Sequence, residues 1–182
     1  MQDIQAIATE AAARLKRKNQ VLFSKNSACL QPLALMLADT DHRTAVLWAL
    51  DLAAQTVRTL EVRCPGESRP YLALKAACSW ARREMRMREA QRRILDCHAL
   101  AKELDDRADR ALCHAVGQAC SVVHTAGHAL GYPVYELTAI VLKDGAGAAA
   151  RRIGEYQDLL LYWKGREPDD SSRWAGFLGR DA

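Results

Sequence analysis

The stretch DTDHRTAVLWALDLAAQTVRTLEV, residues Asp39 to Val62, decides the fold class. Asp39, Thr40 and Asp41 supply side-chain acceptors and negative charge at the start of a helix. Behind them Leu47, Leu50, Ala54, Val57 and Leu60 recur at helical spacing, and nothing in the stretch alternates as a half-buried strand would. No glycine or proline interrupts it.

The same pattern extends in both directions. A first helix is predicted over Asp3 to Lys18, with Ile4, Ile7, Ala8, Ala11, Ala12 and Leu15 on its apolar face. Arg14, Lys16, Arg17 and Lys18 fall at its end, where the helix dipole favours cations. A second is predicted from Ala28 to Ala38, with Ser27 as its cap and Pro32 tolerated near the first turn. Beyond the loop RCPGESRP, Pro70 opens a fourth helix that carries Leu74, Ala77, Trp80 and Ala81. Around Met85 to Met87 the pattern passes into a fifth, ending near Leu104. DDRADRAL begins a sixth with an acidic first turn, and Gly131 and Pro133 mark its stop and a restart. The seventh runs from Pro133 towards Lys143. KDGAGAAARR either interrupts it or weakens it before a helix from Ala148 to Trp163, with Ile153, Tyr156, Leu160 and Trp163 on one face. KGREPDDSSRW reads as a loop before a short terminal segment, WAGFL. The expected fold is all-α: one domain over residues 1–182, a bundle of about seven helices around a buried central one.

The composition agrees. Of 182 residues, 49% are apolar but only 6% aromatic, and alanine is abundant, which suits helices packed closely through small side chains. A chain of this length buries about 70% of its unfolded surface, so neither disulfide nor metal is required for stability. Net charge is +4, from 26 basic and 22 acidic residues, too mild to single out nucleic acid. Cys29, Cys64, Cys78, Cys97, Cys113 and Cys120 form no CxxC pair, and the N-terminal residues lack a signal peptide's basic start and apolar core. Reduced, buried thiols and a cytoplasmic location are therefore expected. The longest charge-free run, Ala111 to Tyr135, contains too much His, Gln, Ser, Thr, Gly and Pro for a membrane span.

That run holds the first candidate chemistry. His114, Gly117, Ser121, His124 and His128 follow one another at alternating three- and four-residue steps, which on a continuous helix would be one stripe. Leu112, Ala115, Val116, Ala119, Val122, Val123 and Ala126 would cover the other side. A polar stripe inside a core must find hydrogen-bond partners. His124 and His128, four apart, could also share a metal ion, with a third ligand from His98, Cys97, Asp51 or Glu84. The glutamate of an HExxH pattern is missing, and hydrogen-bonded interior histidines are the favoured expectation. A Cys–His nucleophile, Cys97 or Cys120 with His124, has no signature behind it. No catalytic residue, metal or cofactor is assigned.

Asp51, inside VLWALDLAAQ, is either a buried carboxylate that needs a partner or part of a solvent stripe. His98 and the helix-six histidines are its candidate partners. ARREMRMREAQRR gathers Arg82, Arg83, Arg86, Arg88, Arg92 and Arg93 against only Glu84 and Glu89. On one helix Arg82 with Glu89, or Glu84 with Arg88, would pair. The patch is a candidate partner surface, for an acidic protein face or phosphates, but lacks interleaved aromatics or a DNA-binding motif. GAGAAARR follows no strand and has no Walker lysine, so it is no phosphate loop.

DHRTAVLWALDLA, SRPYLALKAACSWARREMRMREAQRR and GQACSVVHTAGHALGYPVYELTAI together resemble three blocks of the immunity-protein-five-like group of small helical bacterial proteins. Trp48, Asp51, Arg69, Pro70, Trp80, His98, Gly117, Gln118, His124, His128 and Tyr135 carry the resemblance, which spans about residues 42–141. Arg83 stands where the family pattern has glycine, and CHALA replaces an Ala-His block. Residues 1–40 and 144–182 are extensions outside it. The resemblance implies a non-enzymatic protein that binds and occludes a cognate protein toxin. Asp51, His98, His114, His124, His128 and Tyr135 are expected to form a structural polar core, and under the resemblance Asp51, His98, His124 and His128 are either scaffold or an uncharacterised site. The alternatives are a metal- or small-ligand-binding helical protein using the His/Asp cluster, and a nucleic-acid-associated regulator. Tyr162, Trp163, Trp174 and Phe177 are expected to expose an apolar surface suited to a homodimer.

Overall fold

In a computed structural model, which describes residues 3–166, 174, 175 and 178, the chain is all-α. Among the described residues there are eight α-helices and two short 3-10 turns, and no strand. The helices are α1 (Ile4–Lys16), α2 (Gln31–Ala38), α3 (His42–Arg63), α4 (Arg69–Ala81), α5 (Met87–Leu100), α6 (Arg107–Ser121), α7 (Gly131–Asp144) and α8 (Ala146–Lys164). The open question over KDGAGAAARR is answered by Gly145. Its φ of 81° is left-handed backbone, so α7 ends there and α8 begins one residue later.

Aspartates start three helices. Asp3 accepts from the Ala6 amide, Asp41 from Thr44, and Asp106 from both Ala108 and Asp109. Ser27 does not cap α2. It precedes a 3-10 turn, Ala28–Leu30, and its hydroxyl accepts from the Ser24 amide and donates to Glu10. The turn uses up the residues expected to be the first coil of α2, and Pro32 then sits within that helix's first two positions.

The central helix is α6. It packs against α3, α4, α5 and α7, and ten of its fifteen residues are buried. Small side chains allow this, with Ala108, Ala111, Ala115, Gly117 and Ala119 on the contact faces. Around it lie Trp48, Leu52, Leu60, Tyr132, Leu137, Ile153 and Tyr156, each fully enclosed. The buried face of α3 is broader than its large apolar residues indicate. Ala45, Ala49, Leu52, Ala53 and Thr56 are buried beside Trp48, while Leu47, Leu50 and Ala54 are only half-buried. On α1 only Ile7 and Ala11 are buried, and Ile4 and Leu15 face outward.

The expected terminal apolar surface is only partly exposed. Tyr162 is exposed, but Trp163 and Trp174 are half-buried, the first donating to Asp51 and the second lying under the Arg43 guanidinium. Phe177 and most of KGREPDDSSRW fall outside the described residues. Among the described residues no helix is long and apolar enough to cross a membrane.

Candidate functional site

The expected continuous helix through His128 breaks at Ser121. A helix continuing past this point would use the Val122 and Gly127 carbonyls internally. Instead His42 Nε2 bonds the Val122 carbonyl at 2.6 Å, and Lys25 Nζ donates to the Gly127 carbonyl at 2.6 Å. The Ser121 carbonyl accepts from both His124 and Thr125, and Thr125 is extended, with φ −154° and ψ 130°. A 3-10 turn over Ala126–His128 then leads into α7. His124 is therefore exposed and His128 half-buried, on a connector and not on an interior stripe. This corrects the placement of both rings in a structural polar core.

The connector nevertheless brings both rings back to the α6 surface. His124 and His128 line a cavity of about 260 Å³ together with Gln118 and Ser121 of α6, His98, Met87, Gln91, Ile94 and Leu95 of α5, and Trp80 of α4. The floor is hydrogen-bonded. Ser121 Oγ donates to the Gly117 carbonyl, and His128 Nδ1 lies 3.2 Å from Gln118 Oε1. His98 Nδ1 meets His114 Nδ1 at 2.9 Å, and the His114 ring packs on Tyr135 with centroids 5.1 Å apart. Two Nδ1 atoms facing each other share one proton, so the ring that accepts it is neutral. Burial, helped by its histidine neighbours, pulls the His98 pKa down to about 4. Burial also lowers His114, with Lys102 adding to the effect, and His128, with Lys25 and His124 adding. The His124 ring lies roughly parallel to the Trp80 indole, with centroids 6.0 Å apart.

Asp51 is elsewhere. It accepts from Gln55 and from Trp163 of α8 and lines a different cavity with Leu47, Leu50, Cys78, Arg82 and Trp174. It therefore joins α3 to α8, and the proposed Asp51–His98 pairing does not form. Among the described residues no three His, Cys, Asp or Glu side chains converge as a metal-binding group. That removes the geometric basis for a metal held by His124, His128 and His98 or Asp51. The Cys–His nucleophile fares no better. Burial pushes the Cys97 thiol up to about 12 and Cys120 well above its usual value, the opposite of an activated thiolate. Cys97 is further engaged with the Cys113 carbonyl.

The six arginines are all exposed. They do not share one helix, because the chain turns at residues 82–86. The expected pairs Arg82–Glu89 and Glu84–Arg88 therefore lack helical spacing, and Arg93 instead approaches Asp96 at 3.9 Å. Arg83 has φ 64°, and the amides of Arg83 and Glu84 donate back to the carbonyls of Trp80 and Ser79, closing α4. A left-handed residue at a helix end is the conformation that glycine adopts without strain. Arg69, the arginine of the Arg-Pro block, bridges Glu67 and Glu103 through four side-chain bonds and so ties the α3–α4 loop to the segment after α5.

A second polar cluster is not evident from the sequence. Glu136 of α7, only 7% exposed, accepts from Tyr132, Tyr156, Thr56 and Arg152. Burial and the neighbouring carboxylate hold both tyrosines well above their usual pKa. The one sequence signal was a lone glutamate within an apolar helix. Tyr132 stands one turn before it on α7, but Thr56, Tyr156 and Arg152 come from α3 and α8 and could not be paired from spacing.

Among known families, the model described as Imm-5 like putative immunity protein matches residues 35–161, reaching beyond the segment that carries the sequence resemblance at both ends. No curated protein and no solved structure gives a significant match.

Proposed function

From the premise that the chain belongs to the Imm-5 like putative immunity protein family, we propose that it binds and neutralises a cognate bacterial toxin, in the cytoplasm and without chemistry of its own. The family match carries this reading. The geometry that supports it is the corner where α4 turns into α5. There Arg82, Arg83, Arg86, Arg88, Arg92 and Arg93 are exposed, on the turn between Trp80 and Met87, which line a cavity with apolar walls, and along α5. Exposed cations of one sign around an apolar centre suit a protein interface, in which desolvated contacts supply affinity and rim charges supply steering and selectivity.

The experiment is direct. A toxin domain encoded beside this gene is expressed with and without this protein, and binding is measured by calorimetry. Growth rescue together with a stoichiometric complex is the expected result. Arg88→Glu with Arg92→Glu should slow association and weaken it further at low salt than at high salt. Absence of any complex with the neighbouring toxin products would end the reading.

A further inference from the structure

We infer that the cavity between α4, α5, α6 and the Ala126–His128 turn is the anchor pocket of this interface, and that it takes one tyrosine side chain from an acidic segment of the partner. The inference rests on the immunity reading and adds to it the chemistry of the partner.

Size comes first. At about 260 Å³ the cavity falls below the roughly 300–1,000 Å³ of small-molecule sites. It is large enough for a single aromatic side chain, the kind of residue that most often anchors an interface in a pocket. Its walls are flat or flexible and apolar: Trp80, Ile94, Leu95 and Met87. Met87 and Leu95 are 44% and 59% exposed, so the mouth presents apolar surface to a partner.

The floor then selects among aromatics. Gln118 Oε1 can only accept, so His128 carries its proton on Nδ1 and leaves Nε2 as a bare acceptor. Ser121 Oγ gives its proton to the Gly117 carbonyl and keeps its lone pairs. Burial holds His98 and His128 below the usual imidazole range, so both are neutral near pH 7. His128 Nε2 and Ser121 Oγ are thus neutral acceptors, which suit an incoming hydroxyl donor. They offer no fixed positive charge to a carboxylate. Tyrosine satisfies walls and floor together, with its ring against Trp80 and Leu95 and its O–H directed to an acceptor.

The surroundings select the sequence around that tyrosine. Arg83 and Arg86 lie on the turn between the cavity-lining residues Trp80 and Met87, and Arg88 and Arg92 each follow a cavity-lining residue of α5, Met87 and Gln91, with Glu84 and Glu89 the acidic residues among them. All four are exposed. Carboxylates on either side of the tyrosine would meet this rim, while lysines there would be repelled.

The test uses the full chain and four capped pentapeptides: Asp-Asp-Tyr-Asp-Asp, its Phe and Ala counterparts, and Lys-Lys-Tyr-Lys-Lys. The Cε1 proton resonances of His98, His124 and His128 are followed at pH 7. Saturable shifts with the acidic tyrosine peptide are expected, with binding weakened more than about tenfold by Ala, as truncation of an anchor residue does. The Phe peptide should be intermediate and the lysine peptide silent. Leu95→Trp, at an exposed position where folding is spared, should fill the mouth and abolish the shifts. No saturable shift at millimolar peptide, or equal binding of the Tyr and Ala peptides, would overturn the pocket. With the neighbouring toxin domain the two ideas separate. Equal binding by wild type and Leu95→Trp sinks the pocket and leaves the immunity reading intact, whereas binding by neither sinks both.

Discussion

The imidazole of His98 lies directly over the α-carbon of Gly117. A β-carbon built on Gly117 would sit 2.4 Å from both Cε1 and Nε2 of the ring, far inside contact distance. The ring is half-buried and its Nδ1 is held by His114, so swinging it away breaks that contact. Glycine at 117 thus sets how closely α5 approaches α6, and that approach forms the floor of the cavity.

Gly117→Ala should therefore destabilise, although alanine is the better helix former by about 1 kcal/mol. Overpacking of this kind costs about 1–3 kcal/mol. Urea unfolding of Gly117→Ala, His98→Ala and the double variant checks the cause. The alanine at 117 should be tolerated once the ring is gone, giving strong non-additivity. Additive losses would mean that the ring is not the obstacle.

Glu136 is the hub of the other buried network. Glu136→Ala would leave Arg152 and the hydroxyls of Tyr132 and Tyr156 without their shared acceptor. Removing one partner of a buried ion pair costs about 3–5 kcal/mol. Glu136→Gln, which keeps one acceptor oxygen, should lose less. Chemical denaturation of the two variants measures the difference.

Arg83 holds a left-handed conformation that costs a non-glycine residue about 1–2 kcal/mol. Glycine removes that strain but adds freedom to the unfolded chain, an offset of about 0.4–1 kcal/mol. Arg83→Gly should then gain a fraction of a kcal/mol up to about 1 kcal/mol, visible as a raised melting temperature. Arg82→Gly, at φ −91°, has no strain to relieve and should not gain. If Arg83 flanks the toxin interface, the stabilised variant should also bind toxin more weakly.

Acid should weaken the fold before the carboxylates protonate. His98 has a pKa of about 4, and His114 and His128 are also lowered, whereas unfolded histidine titrates near 6.5. Between those values the unfolded chain binds more protons than the folded one, so stability falls as pH drops from about 6.5 towards 4. Melting temperatures across that window should decline for the wild type and decline less for His98→Gln, which takes up no proton. An unchanged slope in the variant would assign the effect to other groups.

Much of the fold is legible because helices announce themselves locally. The period of residues 39–62, the aspartates before α3 and α6, and Pro70 all act within a few residues of where they stand. The break after Ser121 is different. Nothing near it forbids helix, and the stripe through His114, Ser121, His124 and His128 argues for one. Where it ends, the Val122 carbonyl and the Gly127 carbonyl of the following turn are taken up by His42 and Lys25, about 80 and about 100 residues away in the chain. The environment of Asp51 is hidden from the sequence for a related reason. Its apolar neighbours marked an unusual carboxylate, but its partner, Trp163, lies on a helix whose docking face cannot be deduced from spacing.

The sequence by itself determined an all-helical chain, its main helix boundaries, a family, and a cluster of residues with polar rings. Tertiary structure alone decided which rings meet: His98 with His114 over Gly117, His128 with Gln118, Asp51 with Trp163, and Glu136 with Arg152 and two tyrosines. Periodicity and capping are properties of a few consecutive residues. The partner of a buried polar group is fixed by how helices far apart in the chain pack, and that depends on the whole core at once.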